Sequence, residues 1–347
     1  MLLAAVLLST VVGLTAEETS PPHRVIVERK VELLEERLRS VARSGYRLLD
    51  ASDGRGGFTR TSEFRLHLER VSEGSVPPEY RVVSGDYSGK LVHRLDDAGA
   101  EGFVVHPRGV LRKALPNPLG GEAPAQAETP VLILERDRAG PPRDYELIVP
   151  GKARQLDREL VDAAASGFSL AGLRAFQGGF VLAVLERPVT EQPPRARPTD
   201  GEPPFLTLDQ RDREKLFRDV GAAAKRGYRI VTTVHQPFGS RGDAVLMSHD
   251  TSPGRPYSYY FLGRPPAEEL EQRLEEGAEA GYRFRAGFDS GAELIMERAP
   301  LEERTVRYHT VDAESAAELE RAVAEALAEG WAWSGLYGNM VVLEKNR

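Results

Sequence analysis

The stretch Glu268-Glu269-Leu270-Glu271-Gln272-Arg273-Leu274-Glu275-Glu276-Gly277-Ala278-Glu279-Ala280-Gly281-Tyr282 decides the fold of this chain. Leu270, Leu274 and Ala278 stand 11, 7 and 3 residues before Gly281, a spacing that stacks side chains on one face of an α-helix. The positions between them are charged or small, so the opposite face belongs to water. The glycine sits where such a helix ends, because it enters the left-handed backbone without a Cβ clash.

The same frame recurs at Gly45-Tyr46, Gly102-Phe103, Gly167-Phe168, Gly227-Tyr228 and Gly330-Trp331. Eleven residues before these glycines stand Leu34, Leu91, Leu156, Leu216 and Leu319, and seven before them Leu38, Leu95, Leu160, Val220 and Val323. Successive glycines are 57, 65, 60, 54 and 49 residues apart, which is the signature of a repeat architecture. Each glycine–aromatic pair opens a strand-like stretch such as Tyr228-Arg229-Ile230-Val231-Thr232-Thr233-Val234, then a glycine-bearing turn and a second strand. Upstream of each helix lies another strand candidate, as in Tyr80-Arg81-Val82-Val83 and Tyr145-Glu146-Leu147-Ile148-Val149. The unit is strand, helix, strand, strand. Its last strand commonly closes on an acid–base pair: Glu69-Arg70, Glu135-Arg136, Glu186-Arg187, Glu297-Arg298 and Glu344-Lys345. These pairs read as solvated strand ends that blunt exposed sheet edges. The fourth unit departs with Ser248-His249-Asp250.

One copy, Leu95-Asp96-Asp97-Ala98-Gly99-Ala100-Glu101-Gly102-Phe103-Val104, resembles the signature of a short bacterial family of unknown function. Members of that family read Leu, a polar pair, a hydrophobic residue and Gly-x-Glu-Gly-Trp, followed by a hairpin. Ala328-Glu329-Gly330-Trp331 is similar. The resemblance implies the strand–helix–strand–strand fold and implies no catalytic residue or cofactor.

The expected fold class is therefore α+β, with six tandem units at 23–72, 80–137, 144–187, 205–250, 257–299 and 304–347. Each has a small antiparallel sheet and one amphipathic helix. The Pro-rich segment 188–204 reads as a semi-rigid linker between two groups of three units. A Pro/Gly/Ala-rich insertion at 107–130, carrying Arg108, Arg112 and Lys113, swells the second hairpin and reads as lacking fixed structure. Units of about 55 residues rarely build a sufficient core alone, and a chain with no cysteine has no disulfides to help. Neighbouring units must therefore share hydrophobic surface, by pairing or in a linear array.

At 347 residues, 41% hydrophobic and 29% charged, the composition is that of a globular protein. The net charge of −7 gives no general pull on nucleic acid. The absence of cysteine removes thiol nucleophiles and Cys-ligated metals. Met1 to Ala16 carries no charged side chain and is too short for a comfortable transmembrane helix. It reads as a signal peptide, so the mature chain is expected to be exported, periplasmic or secreted, with no transmembrane segment.

Chemistry is sparse. Gly167-Phe168-Ser169-Leu170-Ala171 imitates a nucleophile elbow, yet it runs from helix to strand, and Ser169 fills the slot held by Arg47 and Arg229 in other units. Gly85-Asp86-Tyr87-Ser88-Gly89-Lys90 is one residue short of a phosphate loop. His23, His67, His93, His106, His235, His249 and His309 show no metal-binding spacing. Arg241-Gly242-Asp243 falls in a hairpin turn, and Tyr257, Tyr259 and Phe261 alternate with Tyr260 as a half-buried strand would. No catalytic, cofactor-binding or metal-binding residue is assigned. The leading expectation is an exported, non-catalytic repeat protein that binds or scaffolds a protein partner in the envelope or outside the cell. The alternative is a small-ligand carrier or enzyme with its site between repeats, which a deep pocket lined by polar groups from two units would favour. N-terminal sequencing of the exported protein should begin at Glu17; an intact Met1 overturns the leader reading.

Overall fold

The structure is a computed structural model that describes residues 22–347 apart from 56–61, 73, 87–88, 115–127, 137–139, 177–179, 190–201, 236–242, 250–255, 264, 288–292, 300–304, 314 and 338–339. The leader at 1–16, most of the 188–204 linker and several hairpin tips lie outside the described residues.

Six copies of one unit follow each other. The first is β1 (His23–Glu28), α1 (Val31–Arg43), β2 (Tyr46–Arg55) and β3 (Ser62–Arg70). The second is β4 (Glu79–Ser84), α2 (Gly89–Ala100), β5 (Val104–Ala114) and β6 (Glu128–Arg136). The third is β7 (Arg143–Ile148), α3 (Ala153–Ala165), β8 (Ser169–Phe176) and β9 (Phe180–Pro188). The fourth is β10 (Phe205–Gln210), α4 (Arg213–Lys225), β11 (Tyr228–His235) and β12 (Asp243–His249). The fifth is β13 (Ser258–Gly263), α5 (Ala267–Glu279), β14 (Arg283–Gly287) and β15 (Glu293–Arg298). The sixth is β16 (Val306–Val311), α6 (Ala316–Ala328), β17 (Ala332–Tyr337) and β18 (Met340–Asn346).

Each unit folds its strands into an antiparallel three-stranded sheet with the third strand in the middle, as in β1-β3-β2. All six helix-ending glycines adopt positive φ, from 82° at Gly281 to 94° at Gly227. Five of the six middle strands are unbroken apolar runs, such as Val131-Leu132-Ile133-Leu134 and Val181-Leu182-Ala183-Val184-Leu185, and all of these residues are buried, whereas β3 alternates Phe64, Leu66 and Leu68 with Arg65 and His67. A strand reads that way when both its faces are covered. In β6, Leu132 and Leu134 join the core of their own helix with Leu91 and Leu95, while Val131 and Ile133 join Leu34 and Leu38 of α1. Every helix is thus held between its own sheet and the next one.

That relation repeats around the chain: α1 lies against β4, α2 against β7, α3 against β10, α4 against β13 and α5 against β16. It ends with α6 against β1. There Val25 shares a core with Val311, Leu319, Val323 and Val341. The units therefore form neither pairs nor an open array; they close into a ring of six.

The stacking also caps sheet edges at three of the interfaces. Each first strand would present unpaired N–H groups, and carboxylates from the preceding helix accept many of them. Glu35 takes the Val82 N–H at 2.8 Å and Asp157 the Thr207 N–H at 2.7 Å. Glu275 and Glu271 take those of Tyr308 and Thr310, at 2.6 and 3.0 Å. Capping an edge in this way removes the template for pairing with another chain.

The second strands of the units face inward, with β2 beside β5, β5 beside β8, β8 beside β11 and β14 beside β17. They approach so closely that a Cβ on Gly172 would stand 2.4 Å from Val110 Cγ2, and one on Gly335 would stand 2.9 Å from Phe284. Gly172→Ala should therefore lower stability by about 1–3 kcal/mol in urea denaturation. Gly221→Ala, in the middle of α4 with open space around it, should instead raise stability by up to about 1 kcal/mol.

Candidate functional site

Each second strand breaks register with its middle strand at the same place, four residues after the helix-ending glycine. The break skips Leu49, Ala171, Val231, Arg285 and Ser334 in five units. In the second unit it admits four residues, His106 to Gly109. A bulge bends its strand and re-aims the side chains beside it. Six bulges on six inward strands gather loosened backbone at the ring's centre.

A cavity of ≈ 470 Å³ lies there, lined by residues from all six units. The first unit supplies Asp50 and Asp53, the second Arg108 and Arg112, the third Arg174, the fourth Val231 and Thr232, the fifth Phe284 and Arg285, and the sixth Gly335 and Leu336. Arg108 and Arg112 lie on β5, so the part of the 107–130 insertion expected to lack structure that falls at 107–114 is strand, as are residues 128–130. The reason is that β5 and β6 continue their pairing past the bulge, through Arg112 opposite Pro130. Lys113 points outward and pairs with Glu32 at 3.1 Å. The rest of the insertion, 115–127, lies outside the described residues.

Asp53 organises one wall. Its carboxylate accepts the Arg112 backbone N–H at 2.6 Å and that guanidinium at 3.0 and 3.3 Å, and it also pairs with Arg174. Burial pushes the Asp53 carboxyl up, but Arg174 and Arg112 more than offset this and leave it below the usual carboxylate range. Asp50 is different. Burial raises it, against the pull of Arg108, the Ala51 N–H and the Trp333 indole that hydrogen-bonds to it. Arg285 donates to the Ile230 carbonyl at 3.3 Å. Burial disfavours its charge; Glu297 supports it, and Arg229 and Arg108 repel it. Arg108 is exposed to the cavity, and its guanidinium has no hydrogen-bond or ion-pair partner among the described residues.

The acid–base strand ends do not blunt solvated edges. They close the middle strands, and two of their acids are buried, Glu135 at 4% exposed and Glu297 at 7%, while Glu69, Glu186 and Glu344 are half-buried. At the interface of units one and two, the Tyr80 hydroxyl accepts the Leu48 N–H at 2.7 Å and donates to Glu135 at 3.0 Å, while Arg47 pairs with the same carboxylate. Tyr259, Glu297 and Arg229 repeat the arrangement between units four and five, where Tyr259 accepts the Ile230 N–H at 2.9 Å. Tyr308 accepts the Phe284 N–H at 2.7 Å between units five and six. Tyr145 bonds Phe103 and Glu186 between units two and three. In four of the five pairs the basic partner stacks on the aromatic residue after the helix glycine: Arg136 on Phe103, Arg187 on Phe168, Arg298 on Tyr282 and Lys345 on Trp331; over Tyr46 of the first unit lies Arg24. His249, in that slot of the divergent fourth unit, meets Tyr228 edge-on at 5.1 Å.

Two interfaces lack the tyrosine. Between units three and four the slots hold Phe205 and Ser248, and between six and one His23 and Glu69. The ring therefore consists of two latched half-rings, in line with the division at the Pro-rich linker. The six–one seam is filled by Trp333, whose ring lies 4.4 Å from that of His67. His67 is 2% exposed, and neither ring nitrogen has a hydrogen-bond partner.

The other residues weighed from the sequence are scattered. Ser169 opens β8 and donates to the Glu186 carbonyl at 3.1 Å. Gly89 starts α2. Tyr259 and Phe261 pack inward, with Phe261 stacked on Phe217 at 3.9 Å, whereas Tyr260 is exposed, as the alternation requires. Asp243 starts β12, and Arg241 and Gly242 lie outside the described residues. Among the described residues no group of three His, Asp or Glu is placed to hold a metal ion, and no helix is long and apolar enough to cross a membrane. No protein-family model matches the chain, and no curated protein or solved structure is detectably similar to it.

His67 generates a test at this seam. Burial, with help from Arg65 and His23, holds its imidazole down to about 3. The folded state thus favours the neutral ring, and its contribution is complete above the unfolded value near 6.5 and is lost as pH falls towards 3. Burial also lowers His106, to about 4, with the same sign. Asp50, shifted up, acts in the opposite sense. The melting temperature should fall between pH 7 and pH 4, and His67→Leu should flatten that fall. An unchanged slope in the variant would remove His67 as a cause.

Proposed function

We propose that this protein is a non-catalytic receptor or carrier for a small polar ligand held at the centre of its ring. One observation carries the reading: six inward strands, each bulged at the same register position, converge on a single cavity lined by side chains from every unit. Its volume suits a metabolite rather than a polymer. The large exposed apolar side chains among the described residues are Val76, Val149, Val189, Val231 and Tyr260, and Val231 itself lines the cavity. That distribution supports the small-ligand reading over a scaffold for an envelope protein, since protein-binding surfaces gather apolar residues into a patch. The apolar leader at 1–16 makes the receptor an exported one, periplasmic or secreted. The likeness to a short bacterial family of unknown function adds no activity to this reading.

The test is a thermal-shift screen of small metabolites, charged and neutral, against the wild type and Ala171→Trp, which fills the cavity from β8. A true ligand at about 100 times its Kd should raise the melting temperature by roughly 4 °C. The same compound should leave the filled variant unmoved. Equal shifts in both proteins, or none across the screen, would reject a ligand site at the centre.

A further inference from the structure

Resting on the central cavity as a ligand site, we propose that its ligand is a small anion, a carboxylate or a phosphate, gripped between Arg108 of the second unit and Arg285 of the fifth. The cavity wall carries four arginines, Arg108, Arg112, Arg174 and Arg285, against two aspartates, Asp50 and Asp53. This positive surplus stands in a chain whose net charge is −7, so the centre of the ring has the opposite sign to the whole. A basic concavity in an acidic molecule concentrates anions locally.

The arginines divide by role. Asp53 engages Arg112 through three hydrogen bonds and pairs with Arg174. These two form a wall already matched to a carboxylate of the protein. Arg108 and Arg285 face the cavity without so close a match, although the buried Asp50 carboxylate attracts Arg108. Arg108 has no ion-pair partner among the described residues, and the Glu297 carboxylate lies 3.9 Å from Arg285 while making a closer, two-pronged contact with Arg229 at 2.7–3.1 Å. Two guanidiniums lining one cavity both gain from an anion placed between them, since each can offer parallel N–H donors to planar or tetrahedral oxyanions. Asp50 accepts the Ala51 N–H and the Trp333 indole and also attracts Arg108, so an incoming anion competes with one buried carboxylate for two guanidiniums. Carboxylate and phosphate share the chemistry the pair recognises, and separate probes distinguish them.

The experiment is isothermal titration of the full chain with inorganic phosphate, with succinate and with the uncharged succinamide, at low and high salt. Binding of phosphate or succinate, with succinamide at least about tenfold weaker and with affinity falling as salt rises, is the expected result. Arg108→Gln, at an exposed position that does not support the core, should weaken the bound anion by about tenfold or more. Arg285→Met should abolish binding, and Arg285→Lys should restore part of it, with circular dichroism confirming that each variant is folded. Succinamide binding as tightly as succinate would overturn the anion assignment while leaving the central ligand site intact. Failure of both anions to bind the wild type at millimolar concentration would overturn it as well, and neutral hits in the thermal screen would then still support the site. Anion binding that survives Arg108→Gln and Arg285→Met unchanged would place it elsewhere and overturn the assignment.

Discussion

The rest of this structure depends on one constraint: the middle strand of five of the six sheets is apolar on both faces. Leu132 and Leu134 satisfy one side of β6 with their own helix, and Val131 and Ile133 require a second helix on the other. Within a unit only one helix exists, so the other must come from a neighbour. A linear array answers this need for those five and leaves the first sheet, where β3 carries Arg65 and His67 on the face turned from its own helix, bare on that side. The ring answers it there too, because α6 covers the face that β1 belongs to. For a chain without disulfides, mutual burial is then complete rather than left open at one end.

The polar interactions follow from this geometry. Stacking a helix on the next sheet brings its acids level with the edge amides of that sheet, so Glu35, Asp157 and Glu271 bond backbone that would otherwise lie bare. The same stacking places each first-strand tyrosine beside the start of the preceding unit's inward strand. A buried tyrosine hydroxyl that accepts a backbone N–H and donates to a buried glutamate leaves none of these groups unsatisfied. Where the fourth unit lacks the glutamate, Phe205 replaces the tyrosine and packs against the core of Leu156, Leu160 and Leu246. At the three–four seam the tyrosine and the glutamate are thus replaced together, whereas at the six–one seam Glu69 remains and His23 stands in the tyrosine slot.

Much of the unit was legible because its determinants are shared. Leucines at fixed offsets and a glycine at each helix end recur six times, and an unbroken apolar third strand five times, and recurrence is what separates signal from accident. The partner of each acid–base pair was misjudged, because a Glu–Arg dipeptide at a strand end looks solvated until the strand is known to be central and the arginine is seen lying over an aromatic ring. Closure was not legible either. Val25 and Leu319 are ordinary core residues by type, and nothing local in the sequence says that they meet. The cavity was hidden for the opposite reason. Asp50, Arg108, Arg174 and Arg285 occupy positions where the units differ, and a comparison of repeats discards differences. The signal that could have exposed them was positional: divergent charged residues falling just past the helix glycine, where every inward strand bulges.

Meeting of the first and last units has a consequence for the chain as it is made. During synthesis the outer face of the first sheet emerges early, yet the helix that will cover it comes from the final unit. Until then Val25 and the edge of β1 stay open to solvent or to another chain's α6. Two molecules at high concentration could satisfy each other's first sheets, and the product would be a larger ring in which every local contact is native. A connection joining His23 to Asn346, with new ends cut in the Pro-rich linker, would move this late closure to the seam between units three and four. The finished ring has no preferred starting point; only the order of synthesis supplies one.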